Sequence, residues 1–205
     1  MSSKALFILA LIVAVMLLVQ RQMSSPSAPL MIQHGALNAL DIPAGPQQGD
    51  SHEPPFIFNG FKVQSLASFT IHARVLSRRD YRSDTEAQLS PLDLALGWGR
   101  MADPAVYEQL NIRQSGRWFH YSWSDQPPIP TEEIVQSAAN MHMIPVSDAI
   151  RQILETAEAG DMIKLKGRLV EVSNEQNWAW RSSLSRSDSG QGACEIVFVE
   201  SVVLN

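Results

Sequence analysis

The stretch MIKLKGRLVEV at residues 162–172 decides the fold class of this chain. Apolar residues alternate along it with basic ones, Ile163, Leu165 and Leu169 against Lys164, Lys166 and Arg168. An apolar residue at every second position predicts a β-strand with one face on a core and the other in water. One-sided burial is typical of antiparallel sheets, so the stretch favours a mainly antiparallel sheet.

Further strands and short helices are indicated on both sides of this stretch. Alternation, or a high content of aromatic and β-branched residues, marks four more strands at residues 61–76, 116–123, 177–181 and 194–204. Helices are indicated by N-cap residues followed by prolines or acids. These signals begin at Ser90-Pro91, Asp103-Pro104, Thr131 and Ser147, and Gly97 and Gly160 end the first and the last helix.

The order of these segments predicts one α+β domain with a mainly antiparallel, curved sheet and several short helices. Within it, the segment GDMIKLKGRLV at residues 160–170 resembles the opening strands of small barrels such as OB folds. The resemblance implies that the sheet curves far enough to form a small barrel of this kind.

The N-terminal segment, residues 1–21, predicts a signal anchor. Lys4 precedes an unbroken apolar run at residues 5–19. As a helix the run spans about 22 Å, against about 30 Å of bilayer core, so it is either a short anchor or the core of a signal peptide. Ser25 and Ser27 form the one tolerable pair for a cleavage site, which favours the uncleaved anchor. The charge of Lys4 favours a cytoplasmic N-terminus and a body outside the cytoplasm.

The next segment, residues 22–55, is rich in proline, serine, glycine and glutamine and predicts a flexible linker. Residues 56–205 remain as one extracytoplasmic domain, long enough to bury a core. Of the 16 basic residues, Lys4 and Arg21 lie in the anchor, which leaves 14 against 21 acidic residues, a net charge of −7. A chain with this charge outside its anchor has no general attraction for nucleic acid, so we expect no nucleic-acid partner.

Four segments of the domain carry a resemblance to a known group of proteins: SPLDLALGWG at 90–99, ANMHMIP at 139–145, GDMIKLKGRLVE at 160–171 and RSSLSRSDSGQGACE at 181–195. With them the chain resembles a family of uncharacterised, membrane-anchored bacterial envelope proteins. The resemblance implies a bacterial cell-envelope setting, and with the predicted anchor we expect a single-pass protein of the bacterial inner membrane with its C-terminal domain in the periplasm. It implies no activity, cofactor or catalytic residue, because none is established for that family.

The single cysteine, Cys194, follows the glycine-rich segment GQGA at residues 190–193. Glycines let a backbone approach closely and expose the sulfur, so Cys194 is a candidate nucleophile with His142 or His120 as its base. This alternative predicts a cysteine-dependent hydrolase or transpeptidase that acts on cell-wall peptide. We favour the other interpretation, a small apolar residue packed at the start of the last strand, because the neighbouring Glu195 disfavours a thiolate.

Two further groups of residues are candidates for binding. Arg181, Arg186 and Asp188 flank the same loop and fit either an anionic group, such as a carboxylate of a cell-wall peptide, or a structural Arg–Asp pair. Trp178 and Trp180 lie two apart on a strand and share a face, which is either core or an aromatic platform for a glycan or a protein. The histidines lack the spacing of metal motifs, so we expect neither a metal nor another cofactor.

These observations favour a membrane-tethered extracytoplasmic binding or assembly module of the bacterial cell envelope over an enzyme. Its expected contacts are the membrane, through residues 5–19, and an envelope protein. The cysteine-dependent enzyme stays open as the alternative, and the reactivity of Cys194 in the folded protein distinguishes the two.

Overall fold

The computed structural model of the chain describes residues 45–185 and 194–205, which all belong to one compact unit. The strands in these residues are β1 (Gln47–Gly49), β2 (Phe56–Phe58), β3 (Phe61–Asp80), β4 (Leu92–Gly97), β5 (Asn111–Ser115), β6 (Trp118–Ser122), β7 (Ala138–Pro145), β8 (Met162–Ser173), β9 (Ala179–Arg181) and β10 (Glu195–Leu204). The α-helices are α1 (Pro104–Tyr107), α2 (Thr131–Gln136) and α3 (Asp148–Glu155). Glu86–Gln88 and Gly99–Ala102 form short 3₁₀ helices.

Five strands close into a barrel. β3 pairs with β4, β4 with β7, β7 with β10 and β10 with β8, and β8 pairs with β3 again. These pairs are antiparallel except for β7 with β10, which is parallel. β3 closes the ring because it is 20 residues long, so that residues 62–74 pair with β8 while residues 74–80 pair with β4.

The interior of the barrel is the main apolar core. Alternate residues of β3, β4, β7, β8 and β10 point into it, which is the cause of the period-two pattern in β3 and β8. Leu154 of α3 is fully buried against the same core. The Ser147 hydroxyl begins α3 as an N-cap by accepting a hydrogen bond from the Ile150 N–H at 3.4 Å.

Two further apolar layers cover the outside of the barrel. One joins Phe198 of β10 to Phe56 and Phe58 of β2 and to Trp178 and Trp180. The other is formed largely by the segment between β4 and β7, which carries α1, the β5–β6 hairpin and α2. Because strands under these layers are buried on both faces, their sequences lose the alternation that a one-sided sheet would show.

The predicted α+β class with a curved, mainly antiparallel sheet agrees with this architecture, which is mostly sheet with a few short helices. Each of the five segments predicted as strands contains or overlaps a strand of the structure. The helices α1, α2 and α3 begin at or directly after the signals at Asp103, Thr131 and Ser147. The predicted anchor at residues 1–21 lies outside the described residues. Among the residues that are described, no helix is both long and apolar enough to cross a membrane.

Two strands of the barrel differ from the prediction. A helix is expected after Ser90-Pro91, but Leu92–Gly97 forms β4, and the Ser90 hydroxyl donates to the Leu92 carbonyl oxygen at 3.2 Å instead of capping a helix. No strand is expected at Ala138–Pro145, where the structure has β7. Every residue of β4 and nearly every residue of β7 is buried. Neither sequence therefore shows the alternation of apolar and polar residues from which a strand is predicted.

The predicted linker at residues 22–55 overlaps the folded domain at its C-terminal end. β1 pairs with residues 68–70 of β3, and the hydroxyl oxygens of Ser51 and Ser65 lie 2.6 Å apart. Glu53 forms an ion pair with Arg168. Residues 47–53 therefore belong to the sheet and its contacts, and residues 22–44 lie outside the described residues.

Candidate functional site

Buried polar side chains gather on the outer face of β4 and β7. Asp93 of β4 has no exposed surface, and Asn140 and His142 of β7 are 4% and 3% exposed. Asp93 faces away from the barrel because Leu92 and Leu94, its neighbours, belong to the barrel core. Asp93 and His142 are register partners, so their side chains meet across the strand pair. Together with Arg117, these residues are called the Asp93 cluster below.

Arg117 reaches this face from the turn between β5 and β6, and 12% of its side chain is exposed. Its Nη1 donates to Asp93 Oδ1 at 2.9 Å, while Nε and Nη2 donate to the two carboxylate oxygens of Asp84 at 2.9 and 2.8 Å. Nη2 also donates to the Ser90 carbonyl oxygen at 3.0 Å, and Nη1 lies 3.4 Å from the Ser90 hydroxyl. Each of the five N–H groups of the guanidinium thus has an acceptor.

The backbone and two aromatic rings hold Arg117 in place. Gly116 and Arg117 have φ values of 55° and 63°, the left-handed conformation that a two-residue hairpin turn of type I′ requires. The Arg117 N–H donates to the Tyr81 hydroxyl at 3.0 Å. The guanidinium carbon lies 4.1 Å from the centroid of the Tyr81 ring and 5.5 Å from that of Trp180. These contacts stabilise a conformation that a residue other than glycine rarely adopts.

Asp93 also orients His142. Nδ1 of His142 lies 2.9 Å from Asp93 Oδ1, and because a carboxylate only accepts, Nδ1 is the nitrogen that carries the proton. In the neutral ring Nε2 is then a hydrogen-bond acceptor. The Trp180 ring lies against the imidazole with 4.6 Å between centroids. Asn140 Nδ2 donates to Asp93 Oδ2 and to the Arg117 carbonyl oxygen, each at 3.1 Å, so both oxygens of Asp93 are bonded.

The charges and the burial shift the pKa values of three groups here. Hydrogen bonds from Arg117 lower the pKa of Asp84, against an opposing effect of burial. Burial lowers the pKa of Arg117, but its hydrogen bond with Asp84 and the charges of Asp93 and Asp84 outweigh this and raise the pKa overall. Burial and the charge of Asp93 raise the pKa of Tyr81. Near neutral pH Arg117 is therefore a cation and Tyr81 a neutral phenol.

The residues predicted as catalytic lie in two places. Cys194 Sγ is 3.9 Å from the Arg117 carbonyl oxygen, beside the Asp93 cluster. Parallel pairing of Glu195 with Met141 sets Cys194 level with Asn140, two positions from His142. His120 is exposed on β6, in the separate two-stranded sheet of the hairpin. The structure therefore brings Cys194 and His142 to one face and leaves His120 away from them.

The residues predicted for binding are also divided. Trp178 and Trp180 share a face, and their ring centroids are 6.3 Å apart. Both are partly buried in the outer apolar layer that contains Phe198. Trp178 packs edge-on against Phe61, whereas Trp180 covers His142. Arg181 forms an exposed ion pair with Glu171, its register partner on β8. The other two residues of this group, Arg186 and Asp188, lie outside the described residues.

A groove of 390 Å³ lies beyond the N-terminal end of β4 and the C-terminal end of β7. Pro91, Pro145 and the first turn of α3 line it, together with the charged residues Asp148 and Arg151. Arg151 Nε is bonded to Glu155 at 2.8 Å. The residues that line the groove include no convergent set of charged and titratable groups, so the Asp93 cluster is the stronger candidate for a site.

The Asp93 cluster offers two kinds of chemistry. It binds a guanidinium between carboxylates and aromatic rings, and it places an oriented histidine on the same face as a thiol. It offers no evident metal position, since no three His, Cys, Asp or Glu side chains converge in the part of the chain that the structure describes. A site of this composition suits recognition of a cation or proton transfer from the thiol.

Asp93 and Arg117 are absent from the residues predicted from the sequence. A signal exists for Asp93, because a single acid inside the apolar run LDLAL at residues 92–96 must be either exposed or paired. Arg117 follows Gly116 in a short turn, but its partners Asp84 and Asp93 are 33 and 24 residues away along the chain. Pairing over that distance depends on the fold, so no local pattern indicates it.

No family model, curated protein or solved structure matches the chain. The fold and the site therefore define its class by themselves: a closed five-strand barrel with a buried, charged cluster on one outer face. Residues from three of the four segments singled out in the sequence lie in this cluster or beside it. These segments supply Asp93, the pair Asn140 and His142, and Cys194.

Proposed function

We propose that the chain is a binding module of the bacterial cell envelope, built on an OB-type barrel and tethered to the inner membrane by residues 5–19. Along the chain β3, β4, β7, β8 and β10 are strands one to five, and their order around the ring is 1-2-3-5-4. Strands three and five are parallel, and α3 lies between strands three and four. These features support the assignment to the OB type.

The position of the Asp93 cluster carries the functional proposal. OB barrels bind ligands on the face of strands two and three, between the loops that join strands one to two and four to five. Asp93 lies on strand two, and Asn140 and His142 lie on strand three. Asp84 comes from the first of those loops and Trp180 from the second. The cluster and its rim thus coincide with the face on which this type of barrel carries its ligand.

A protein is the partner class that agrees best with the chemistry of this face. The net charge of −7 outside the anchor, from 14 basic and 21 acidic residues, opposes binding to nucleic acid. The partly exposed rim holds Tyr81, Arg117 and Trp180, residue types that dominate the binding energy of protein interfaces. A tethered module that binds a protein fits an assembly role in the periplasm.

The tether is tested by fractionation and protease access. We expect the full-length chain to sediment with membranes, and its C-terminal domain to be cut by protease once the outer membrane has been opened. A periplasmic protein of known location serves as the control for opening. A C-terminal domain that stays protected, or a mature chain whose N-terminus lies near Ala28, contradicts the tethered arrangement.

The binding face is tested by photo-cross-linking in cells. A photoreactive residue replaces Ser83, which is exposed in the loop between β3 and β4, or Lys164, which is exposed on β8. We expect a discrete cross-linked envelope protein from position 83 and none from position 164, because only the first position borders the cluster. Equal products at both positions, or none at either, contradict a binding face at the cluster.

A second candidate, the cysteine-dependent hydrolase or transpeptidase, is favoured by one observation, the common face of Cys194 and His142. In that reaction Nε2 of His142 accepts the thiol proton, and the sulfur attacks a peptide carbonyl. The amine leaves with that proton, and the acyl group stays on the sulfur until water or another amine accepts it. Asp93 would hold the imidazole in the tautomer that this step needs.

Thiol reactivity separates the two candidates, and since Cys194 is the single cysteine, labelling reports on it alone. For a binding module we expect iodoacetamide to react far more slowly with the native chain than with the denatured chain, and Cys194→Ser to keep the cellular role. For the enzyme, native labelling is fast with a pH midpoint below about 8.5, and Cys194→Ser folds but does not complement a deletion. Fast native labelling with loss of complementation overturns the binding module.

A further inference from the structure

The surroundings of the Arg117 side chain have the composition of a recognition site for an arginine. Asp84 accepts from Nε and Nη2 in the two-pronged geometry that a planar guanidinium prefers, and Asp93 accepts from Nη1. The Tyr81 ring covers one face of the group at 4.1 Å, and Trp180 lies 5.5 Å away. A compact ammonium group has neither the fork nor the flat faces that these partners fit.

The residue that fills this site lies in a hairpin turn that is not part of the barrel sheet. Arg117 has a φ of 63°, a conformation that costs energy for any residue with a Cβ atom. Its hairpin forms a two-stranded sheet of its own, which shares no ladder with the barrel sheet. Movement of this turn together with its hairpin would therefore keep the β5–β6 ladder and break no strand pairing of the barrel.

We propose that this site is an arginine-recognition site, occupied in the free domain by Arg117, and that an arginine side chain of a protein partner displaces Arg117 on binding. The inference rests on the proposed function, because it names the chemistry by which the binding face recognises its partner. Movement of the Gly116–Arg117 turn out of the site would expose Asp93, which has no exposed surface in the free domain. It would also break the contact between the Arg117 carbonyl oxygen and the Cys194 sulfur.

Recognition is tested with full-length Arg117→Ala in detergent and ethylguanidinium as the probe. We expect the variant to lose about 6 °C or more in Tm, since a buried carboxylate loses its partner, and millimolar ethylguanidinium to restore much of the loss in a saturable way. Ethylammonium at the same concentration should not restore it. Arg113→Ala, an exposed arginine on the same hairpin, should respond to neither cation. No rescue, or equal rescue by both cations, overturns the proposal.

Displacement is tested on the wild-type chain through the labelling rate of Cys194, whose sulfur contacts the Arg117 carbonyl. We expect ethylguanidinium to raise this rate at least threefold with saturation, and ethylammonium at equal ionic strength to leave it unchanged. A rate that does not respond overturns the proposal even if Arg117→Ala is rescued, because Arg117 would then never leave the site. If Arg117→Ala does not fold alone, its refolding yield with each cation replaces the Tm comparison.

The outcome separates this inference from the proposed function. If cross-linking from position 83 captures an envelope protein but neither guanidinium response occurs, the binding module stands and arginine recognition is wrong. If both guanidinium responses occur but position 83 captures nothing, the site recognises guanidinium and the proposed module is wrong. A captured partner should in addition lose cross-linking when ethylguanidinium competes, whereas ethylammonium should have no effect.

Discussion

Asp93 shows how hydrogen bonds stabilise a carboxylate side chain in a buried position. Its carboxylate has no exposed surface, and such burial is unfavourable unless each oxygen is bonded. Arg117 and His142 bond Oδ1, and Asn140 bonds Oδ2. One residue thus connects β4, β7 and the β5–β6 turn, and removal of its charge leaves the buried Arg117 with Asp84 as its remaining carboxylate partner.

We expect Asp93→Asn to lower the free energy of unfolding by about 3 to 5 kcal/mol, because one member of a buried charged network is removed. Urea unfolding of the chain measures this loss. Asp80→Asn is the matched control, since Asp80 pairs with Arg78 at 3.3 Å on the surface, where an ion pair contributes less than about 1 kcal/mol. A loss at Asp93 no larger than that at Asp80 would contradict the structural role of the cluster.

The lowered pKa of Asp84 leads to a prediction about pH. The hydrogen bonds from Arg117 cause the shift, so Asp84 holds its charge to lower pH in the folded chain than in the unfolded chain, where its pKa is about 3.9. A lowered folded pKa contributes stability that is present above the unfolded value and is lost as the pH falls through the folded value. Asp84 should therefore contribute its full stabilisation at pH 7, and this contribution should decrease as the pH falls below about 4.

The comparison uses Asp84→Asn and the wild type in urea unfolding at pH 7, 5 and 3. We expect the midpoint of the variant to be lower than that of the wild type at pH 7 and 5, and the difference between the two midpoints to be smaller at pH 3. Asp125→Asn, at an exposed position after β6, should match the wild type at every pH. A difference between Asp84→Asn and the wild type that is constant over this range would show that protonation of Asp84 is not its source.

Individual elements show where sequence patterns predict the fold and where they cannot. β3 and β8 have one face on the barrel core and are partly exposed on the other, so their alternation predicts them correctly. β4 is covered on both faces, and its cap-like Ser90-Pro91 start together with Gly97 favours a helix on local grounds alone. β7 has the same double cover and was not predicted. Tertiary burial decides these two strands, and the Asp93 cluster lies on both of them.

The contact between β8 and β10 depends on one glycine. A Cβ atom at Gly167 would lie 2.0 Å from the Phe198 carbonyl oxygen and 3.2 Å from Val199 Cα, so the backbone of β10 would have to move. We expect Gly167→Ala to lower the free energy of unfolding by more than about 4 kcal/mol, or to prevent folding. The matched change is Gly60→Ala, where φ is 82° but no atom lies within 4 Å, with an expected loss of about 1 to 2 kcal/mol. Equal losses would contradict the close strand contact.

In the whole molecule, the barrel is covered by segments that are not part of its ring. β2 and the tryptophans around β9 cover one outer face, and the segment between β4 and β7 covers another. The residues before β2 add a third cover, which composition alone assigns to a linker because it is rich in proline, glycine and polar residues. The composition of a segment indicates how much apolar surface that segment can bury by itself. It does not indicate whether the segment pairs as an extra strand with a sheet that the rest of the domain forms.

This difference leads to a prediction about the N-terminal boundary of the domain. A chain that begins at residue 56 lacks β1 with its pairing to β3, the hydroxyl pair of Ser51 and Ser65, and the ion pair of Glu53 with Arg168. We expect it to unfold about 4 °C or more below a chain that begins at residue 45, since about 1 kcal/mol shifts the midpoint by about 2 to 4 °C in a domain of this size.

Glu53→Ala in the longer chain is the control for the ion pair, which is exposed on the Glu53 side and should contribute only a small part of the loss. Thermal unfolding followed by circular dichroism measures all three chains. Midpoints within about 1 °C of each other would place the boundary of the stable domain at β2, and the contacts of residues 47–53 would then not contribute to its stability.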